Sequence, residues 1–306
     1  MIEHVGNVSL DYAKYAGVDY YSDGEVEDEL LDIVTNHNED EFNSIIAQKK
    51  KWPILYHLSD IRHNIIEWYP ISKESKVLEI GSGCGAITGA LAKKAGHVTC
   101  VELSKKRSLI NANRNKAYNN IEIKVGNFQD IEPELLEDYD YITLIGVLEY
   151  GAAYIKSDDS YREFLSIINK HLKKGGKLII AIENKYGLKY FAGCKEDHTS
   201  RYFEGLEGYP TSSGVKTFSK NALSKLLRDS NYKVDKFYYP YPDYKLPTEI
   251  FSDDFLPPKG ALVNNRLNFD NNRLVLFDES KVFDSLLEDG MFSEFANSFL
   301  VVARKE

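Results

Sequence analysis

Residues 77–86 read Val-Leu-Glu-Ile-Gly-Ser-Gly-Cys-Gly-Ala, and no other stretch limits the possible folds so sharply. An aliphatic run that reaches the acid Glu79 predicts a strand here. Glycines follow at 81, 83 and 85, and a helical pattern starts directly behind them. Glycines at this spacing let the chain turn sharply out of a strand and bring its backbone close to a ligand with no Cβ in the way. The helix start behind them offers backbone N–H groups to that ligand. A nucleotide-type cofactor is therefore expected at Gly81, Gly83 and Gly85.

Around this turn, strand and helix patterns alternate. Strands are predicted at 76–80, 97–101, 121–125, 139–145, 177–182, 232–239 and 295–303, and helices at 86–95, 104–118, 161–174 and 219–229. Ser104 is a good helix cap, while Gly175-Gly176 after His171, Lys173 and Lys174 read as a helix end. Such alternation implies an α/β, Rossmann-like, seven-stranded and mostly parallel sheet with helices on both faces. Its ligands bind beyond the carboxyl ends of the strands. Ile54, Leu58, Ile61, Ile65 and Trp68 recur at helical spacing and predict one amphipathic helix ending at Pro70. The polar, acidic segment 1–53, with Tyr12, Tyr15, Tyr20 and Tyr21, is expected to be an N-terminal helical cap or lid. Residues 54–306 then form the main domain, with insertions at 184–218 and 240–294, loops long enough to carry function or structure of their own.

Composition narrows the partners. The 306 residues carry a net charge of −9, which disfavours broad nucleic-acid binding. Lys49-Lys50-Lys51 follows an acidic stretch and reads as a solvated face of mixed charge. Cys84, Cys100 and Cys194 form no CxxC, so neither a disulfide framework nor a metal site is expected. No apolar run is long enough to cross a bilayer, and no signal-peptide pattern is visible, so a cytoplasmic protein is expected.

Glu102 ends the second strand, where an acid can accept hydrogen bonds from ribose hydroxyls. Gly81, Gly83 and Ala86 also satisfy the relaxed dinucleotide fingerprint, so glycine spacing alone leaves NAD open. Glu79 separates the two: a pyrophosphate would meet an unfavourable carboxylate, whereas the sulfonium and ammonium of S-adenosylmethionine (SAM) would be attracted. With this acid-x-Gly-x-Gly-x-Gly pattern the chain resembles the class I SAM-dependent methyltransferases over about residues 54 to 239. Val125-Gly126-Asn127-Phe128 is similar to the family's adenine-contacting turn, and Gly146-Val147-Leu148-Glu149-Tyr150 to its methyl-site segment. The resemblance implies cofactor contacts from Glu79, Gly81, Gly83, Gly85, Glu102, Asn127 and Phe128. The family more often has Asp at Asn127 and His at Tyr150.

A narrower resemblance runs through Glu183-Asn184-Lys185-Tyr186-Gly187-Leu188-Lys189-Tyr190-Phe191-Ala192-Gly193, Glu196-Asp197-His198-Thr199 and Glu207-Gly208-Tyr209-Pro210. These segments look like methyltransferase modules found beside bacterial cell-surface polysaccharide glycosyltransferases. That implies a sugar or glycan-linked acceptor and glycosyltransferase partners, with no nucleic acid and no membrane span. An alcohol acceptor needs a base, and His198 is the expected one, with neutral imidazole available near working pH. Asp197 or Glu196 would orient it, Tyr150 would lie at the methyl site, and Lys185, Tyr186 and Arg201 would hold an anionic or sugar acceptor. The bland alternative makes 196–201 a surface turn, and it places His57 and His63 on a helix surface or at the cofactor edge. A nicotinamide oxidoreductase and a non-catalytic SAM- or glycan-binding module are the competing functions.

Overall fold

The computed structural model describes residues 1–19, 22–155, 157, 159–266 and 272–306, so Tyr20, Tyr21 and part of the 240–294 insertion lie outside the described residues. The chain divides into two compact units, Met1–Leu144 with Lys170–Lys177, and Ile145–Asn169 with Leu178–Glu306.

The first unit contains β1 (Ile2–Val5), β2 (Val8–Lys14), β3 (Lys76–Ile80), β4 (His97–Glu102), β5 (Ile121–Gly126) and nearly all of β6 (Tyr139–Ile145). Its strand order is β1-β2-β5-β4-β3-β6. The pairs β2–β5, β4–β5, β3–β4 and β3–β6 are parallel, and only the hairpin β1–β2 is antiparallel. Val77, Leu78, Val98, Cys100, Ile123, Ile142 and Leu144 are fully buried. Continuous apolar runs of this kind are what a parallel strand covered on both faces requires.

Helices α1 (Val26–Asn36), α2 (Phe42–Lys49) and α3 (Trp52–Leu58) follow the hairpin. Leu30, Ile33, Val34 and Phe42 form one buried cluster with Ile54, Leu58, Cys84 and Ile110. The expectation of a purely helical segment 1–53 therefore needs correcting, because residues 2–14 form two strands and the second extends the sheet along β5. The single helix expected over 54–68 is also broken. At Ser59 the backbone becomes extended (ψ 131°), and its hydroxyl caps the 3-10 turn Asp60–Ile65 through the Ile61 N–H. The apolar period continues across a change of direction, so periodicity alone conceals the break. Lys49 and Lys51 both pair with Glu29 on the surface, the mixed-charge face expected of that run.

Beyond β3 come α4 (Thr88–Ala92), α5 (Lys105–Arg114) and α6 (Phe128–Ile131), the first shorter than the expected 86–95. Ser104 caps α5 by accepting from the Arg107 N–H at 3.2 Å, as its residue type predicts.

The second unit contains α7 (Gly151–Tyr154), most of α8 (Ser160–His171), the second half of β7 (Leu172–Glu183), α9 (Leu188–Phe191), α10 (Lys220–Asp229), β8 (Tyr232–Tyr241), β9 (Glu249–Ser252), α11 (Glu279–Glu288), α12 (Phe292–Phe295) and β10 (Ser298–Lys305). The strand order here is β7-β10-β8-β9, and β10–β8 and β8–β9 are antiparallel. Among the described residues there are thus ten strands of mixed direction, not seven mostly parallel ones. The additions lie at the two extremes of the chain's strand set: the N-terminal hairpin, and β9 within the 240–294 insertion.

Candidate active site

The glycine turn is built within the first unit. Gly81 and Ser82 leave β3 by donating backbone N–H groups to the Val101 carbonyl at 2.8 and 3.3 Å. The Gly83 N–H donates to Glu102 Oε2 at 2.8 Å, while the Ser104 N–H donates to Oε1 at 2.9 Å. Glu102, expected as the ribose acid, thus also ties the turn to the end of β4. Burial raises its pKa, opposed by the Ser104 N–H, the Arg107 charge and the Gly83 N–H.

Gly83 has φ +53°, and a Cβ placed there would meet open space, so the turn leaves a clear face. Gly85 is different. At φ +77° its Cβ would come within 2.3 Å of Asn111 Oδ1 and 2.8 Å of Asn115 Nδ2, both on or beside α5. Gly85→Ala is expected to destabilise the chain by about 2 kcal/mol or more, from left-handed strain plus overpacking. Urea unfolding of the variant checks this, and a loss within about 0.5 kcal/mol, as for a surface change, would refute it.

Glu79 is buried, with Oε2 accepting from Thr88 Oγ1 at 2.6 Å and facing Cys100 Sγ at 3.5 Å. Burial pushes its pKa up to about 7, against the pull of the Thr88 hydroxyl. Asn127 caps α6, its Oδ1 accepting from the Gln129 N–H at 3.2 Å, and Phe128 is buried beside it. His57 and His63 are buried, which corrects the helix-surface half of their expected placement. His57 Nε2 faces Asp23 Oδ2 at 3.2 Å, and burial lowers both imidazole pKa values.

The second unit holds the other polar centre. His198 Nδ1 lies 2.9 Å from Glu196 Oε1, and Glu196 Oε2 accepts from the backbone N–H groups of His198 and Thr199 at 2.9 and 2.7 Å. Glu196 therefore orients the imidazole. On the other side, His198 Nε2 is 3.4 Å from Glu149 Oε1 and 3.8 Å from Glu183 Oε2. Glu149 comes from the turn Leu148–Tyr150 after β6, and Glu183 is the last residue of β7. Tyr150 packs edge-on against the His198 ring at 5.4 Å. Burial opposes charge on His198, yet Glu183, Glu149 and Glu196 together hold its pKa well above the usual value. Burial raises Glu149, with the His198 contact opposing. The neighbouring carboxylates thus favour a proton on the imidazole that is expected neutral from sequence.

Asp197 does not orient His198. Its Oδ2 pairs with Lys189 Nζ at 2.9 Å and accepts from the Tyr190 hydroxyl at 2.6 Å, while Oδ1 pairs with Lys245. Burial works against that charge, but Lys189 and then Lys245 hold Asp197 well below the carboxylate range. Residues 196–201 do form a turn with local side-chain hydrogen bonds, as the bland alternative has it, but Glu196 within it is 2% exposed. Arg201, in contrast, is exposed and donates to Thr211 Oγ1, and Lys185 lies over the Tyr186 ring at 5.2 Å. Sequence reasoning missed Glu149, Glu183, Lys189, Asp243 and Lys245 as members of this network. The signal that could have found Lys189, Glu183 and Glu149 was a charged residue inside an otherwise apolar run.

Within a Rossmann-like frame, the first unit therefore presents an acid-flanked glycine turn braced by a second acid. Residues 78–178 match the family model described as a methyltransferase domain. Over 83 residues the chain is 36% identical to the ribosomal RNA small subunit methyltransferase A of Listeria monocytogenes, covering 26% of this chain and 28% of that protein. The protein of that name from Borreliella afzelii is 36% identical over 95 residues, or 31% of each chain. The chain thus spans less than a third of the length of these relatives. A chain of the complex between the Haloferax volcanii Trm112 methyltransferase activator and a methyltransferase superposes with a TM-score of 0.51 at 18% identity, covering 86% of this chain and 97% of that one. The match to a methyltransferase domain covers residues 78–178, about a third of the chain, and includes the glycine turn and Glu102.

Proposed function

We propose that the chain is a SAM-dependent methyltransferase that O-methylates a sugar, a glycan-linked group or another small hydroxylated or anionic acceptor. The observation that carries the donor half is the pair of hydrogen bonds from Gly83 and Ser104 to Glu102, which sets the turn with Gly83 open to a ligand. Glu79 supplies the negative charge that a sulfonium and an ammonium favour. Gly81, Gly85, Asn127 and Phe128 complete the donor contacts in this reading.

For the acceptor half we assign the buried centre around His198. Methyl transfer from a sulfonium is an in-line displacement, so alignment does most of the work. An alcohol must also lose its proton, and a centre with three carboxylates around one imidazole has the negative charge to take it. Lys185, Tyr186 and Arg201 are the expected acceptor contacts, with Tyr150 steadying the imidazole ring. The net charge of −9 favours a small or glycan acceptor over nucleic acid. In this reading residues 1–53 remain a cap, 184–218 and 240–294 serve the acceptor, and glycosyltransferases are the expected partners.

Calorimetry with SAM and NAD in parallel tests the donor, and NAD binding without SAM binding overturns it. Labelled SAM offered with neutral and anionic sugars tests the transfer and separates an enzyme from a binding module. His198→Gln is expected to cut turnover about 10²-fold at unchanged SAM affinity. An unchanged rate removes His198 from the chemistry.

A further inference from the structure

We propose that Glu149, Glu183 and His198 hold a divalent transition-metal ion. The sequence expectation of no metal site rested on cysteine spacing, and these ligands are of a different type. They come from three separated segments: the turn after β6, the end of β7 and the loop beyond α9. One donor atom from each lies within 4.8 Å of the others. Ligand bonds of about 2.1 Å in a four-coordinate site put neighbouring donor atoms about 3.4 Å apart. His198 Nε2 is 3.4 Å from Glu149 Oε1 and 3.8 Å from Glu183 Oε2, too long for good hydrogen bonds and close to that spacing.

Two further observations point to a bound ion. Glu149 Oε2 and Glu183 Oε2 are buried and accept no hydrogen bond, on side chains 1% and 0% exposed. Buried carboxylate oxygens are rarely left that way. Lys245 Nζ lies 3.0 Å from Glu183 Oε1 but is shared with Asp197, so it does not neutralise the centre. The second observation is the outer contact. His198 Nδ1 lies against Glu196 Oε1 at 2.9 Å, and Glu196 is itself fixed by two backbone N–H groups. A carboxylate behind the far ring nitrogen is the usual outer partner of a metal-bound imidazole, fixing the tautomer that leaves Nε2 free to ligate.

Two carboxylates and one imidazole suit Zn²⁺, Mn²⁺ or Fe²⁺ better than the all-oxygen preference of Ca²⁺ or the thiolates sought by soft ions. Three protein ligands leave a coordination position open for an oxygen of a bound molecule. The site stands on its own geometry and does not depend on which acceptor is methylated.

The test is equilibrium dialysis of the chelator-washed full chain against Zn²⁺ and Mn²⁺, with metal content read by mass spectrometry and fold by circular dichroism. One ion per folded chain is expected. Glu149→Gln should weaken uptake at least tenfold, and Glu196→Gln by about 10- to 100-fold through the outer contact. A folded wild-type chain that takes up neither ion overturns the proposal, as does equal affinity in Glu149→Gln and wild type. Should Glu183→Gln fail to fold, Glu149→Gln and the wild-type titration still decide. SAM titration of the same samples reads the donor site separately, so failure of one assignment is distinguishable from failure of the other.

Discussion

Lys189→Met is expected to cost about 3–5 kcal/mol of folding stability, because it removes the cation shared by two buried carboxylates and leaves them under-compensated. Lys189 is 2% exposed, with Nζ 2.9 Å from Asp197 Oδ2 and 3.6 Å from Asp243 Oδ2. Burial disfavours its charge, yet Asp197 and Asp243 more than restore it and raise the pKa. Methionine fills much the same volume, so the loss isolates charge from packing. Without Lys189, Asp197 retains Lys245 and the Tyr190 hydroxyl, whereas Asp243 faces the interior with one cation fewer. The double variant Lys189→Met/Asp243→Asn should recover part of the loss, the coupling expected of groups in contact. Urea unfolding followed by near-UV circular dichroism measures both. A single-variant loss under about 1 kcal/mol would mean that the pair behaves as a surface pair.

The second large effect is a pair of opposite pH slopes at Glu79, with its pKa near 7. In the free protein the folded pKa lies above the ordinary value of 4.5, so the fold binds this proton more tightly than the unfolded chain does. That stability is fully present below about pH 4.5 and is lost as pH rises through about 7, about 3 kcal/mol in all. SAM affinity runs the other way in our proposal, because the cationic donor favours the carboxylate. Affinity should rise about tenfold per pH unit from pH 5 to 7 and level off above. Glu79→Gln should flatten both slopes. Calorimetric titrations and unfolding curves at pH 5, 6, 7 and 8 measure them, and SAM affinity independent of pH over that range would remove Glu79 from the donor site.

The glycine turn and the strands around it were legible because their signals are local. Glu79, the three glycines and Glu102 are tied to strand ends, and β3 falls at Lys76–Ile80 as the pattern predicts. A β-branched run followed by glycines admits few other structures. The buried centre was only half legible for the opposite reason. His198 stood out by residue type, but its partners Glu149 and Glu183 lie 49 and 15 positions away and meet it only through tertiary placement. Asp197 and Glu196 are adjacent, so sequence could not say which of them faces the imidazole. The fold settles it by giving Asp197 to two lysines and Glu196 to the ring. Val8, Leu10 and Tyr12 alternate with polar residues at the period of a half-buried strand, a signal that the expectation of a helical cap passed over. At the other junction, β7 begins at Leu172, directly after α8. Lys173, Lys174, Gly175 and Gly176 therefore belong to the strand, not to a helix end.

Cys84 sits inside the glycine turn, yet its side chain is buried against Leu30, Ile33, Phe42 and Ile54 from α1, α2 and α3. Arg107 of α5 is likewise clamped by Asp23 at 2.7 Å and Glu27 at 2.8 Å, and Asp19 receives the first N–H groups of that helix. The underside of the glycine turn is thus made from residues that precede Cys84 by 30 (Ile54) to 65 (Asp19) positions. Transplanting the turn and its strands into another scaffold would leave Cys84 facing water and Glu102 without its supporting helix. The smallest transferable unit holding this turn therefore begins near Asp19, well upstream of the glycines that announce it.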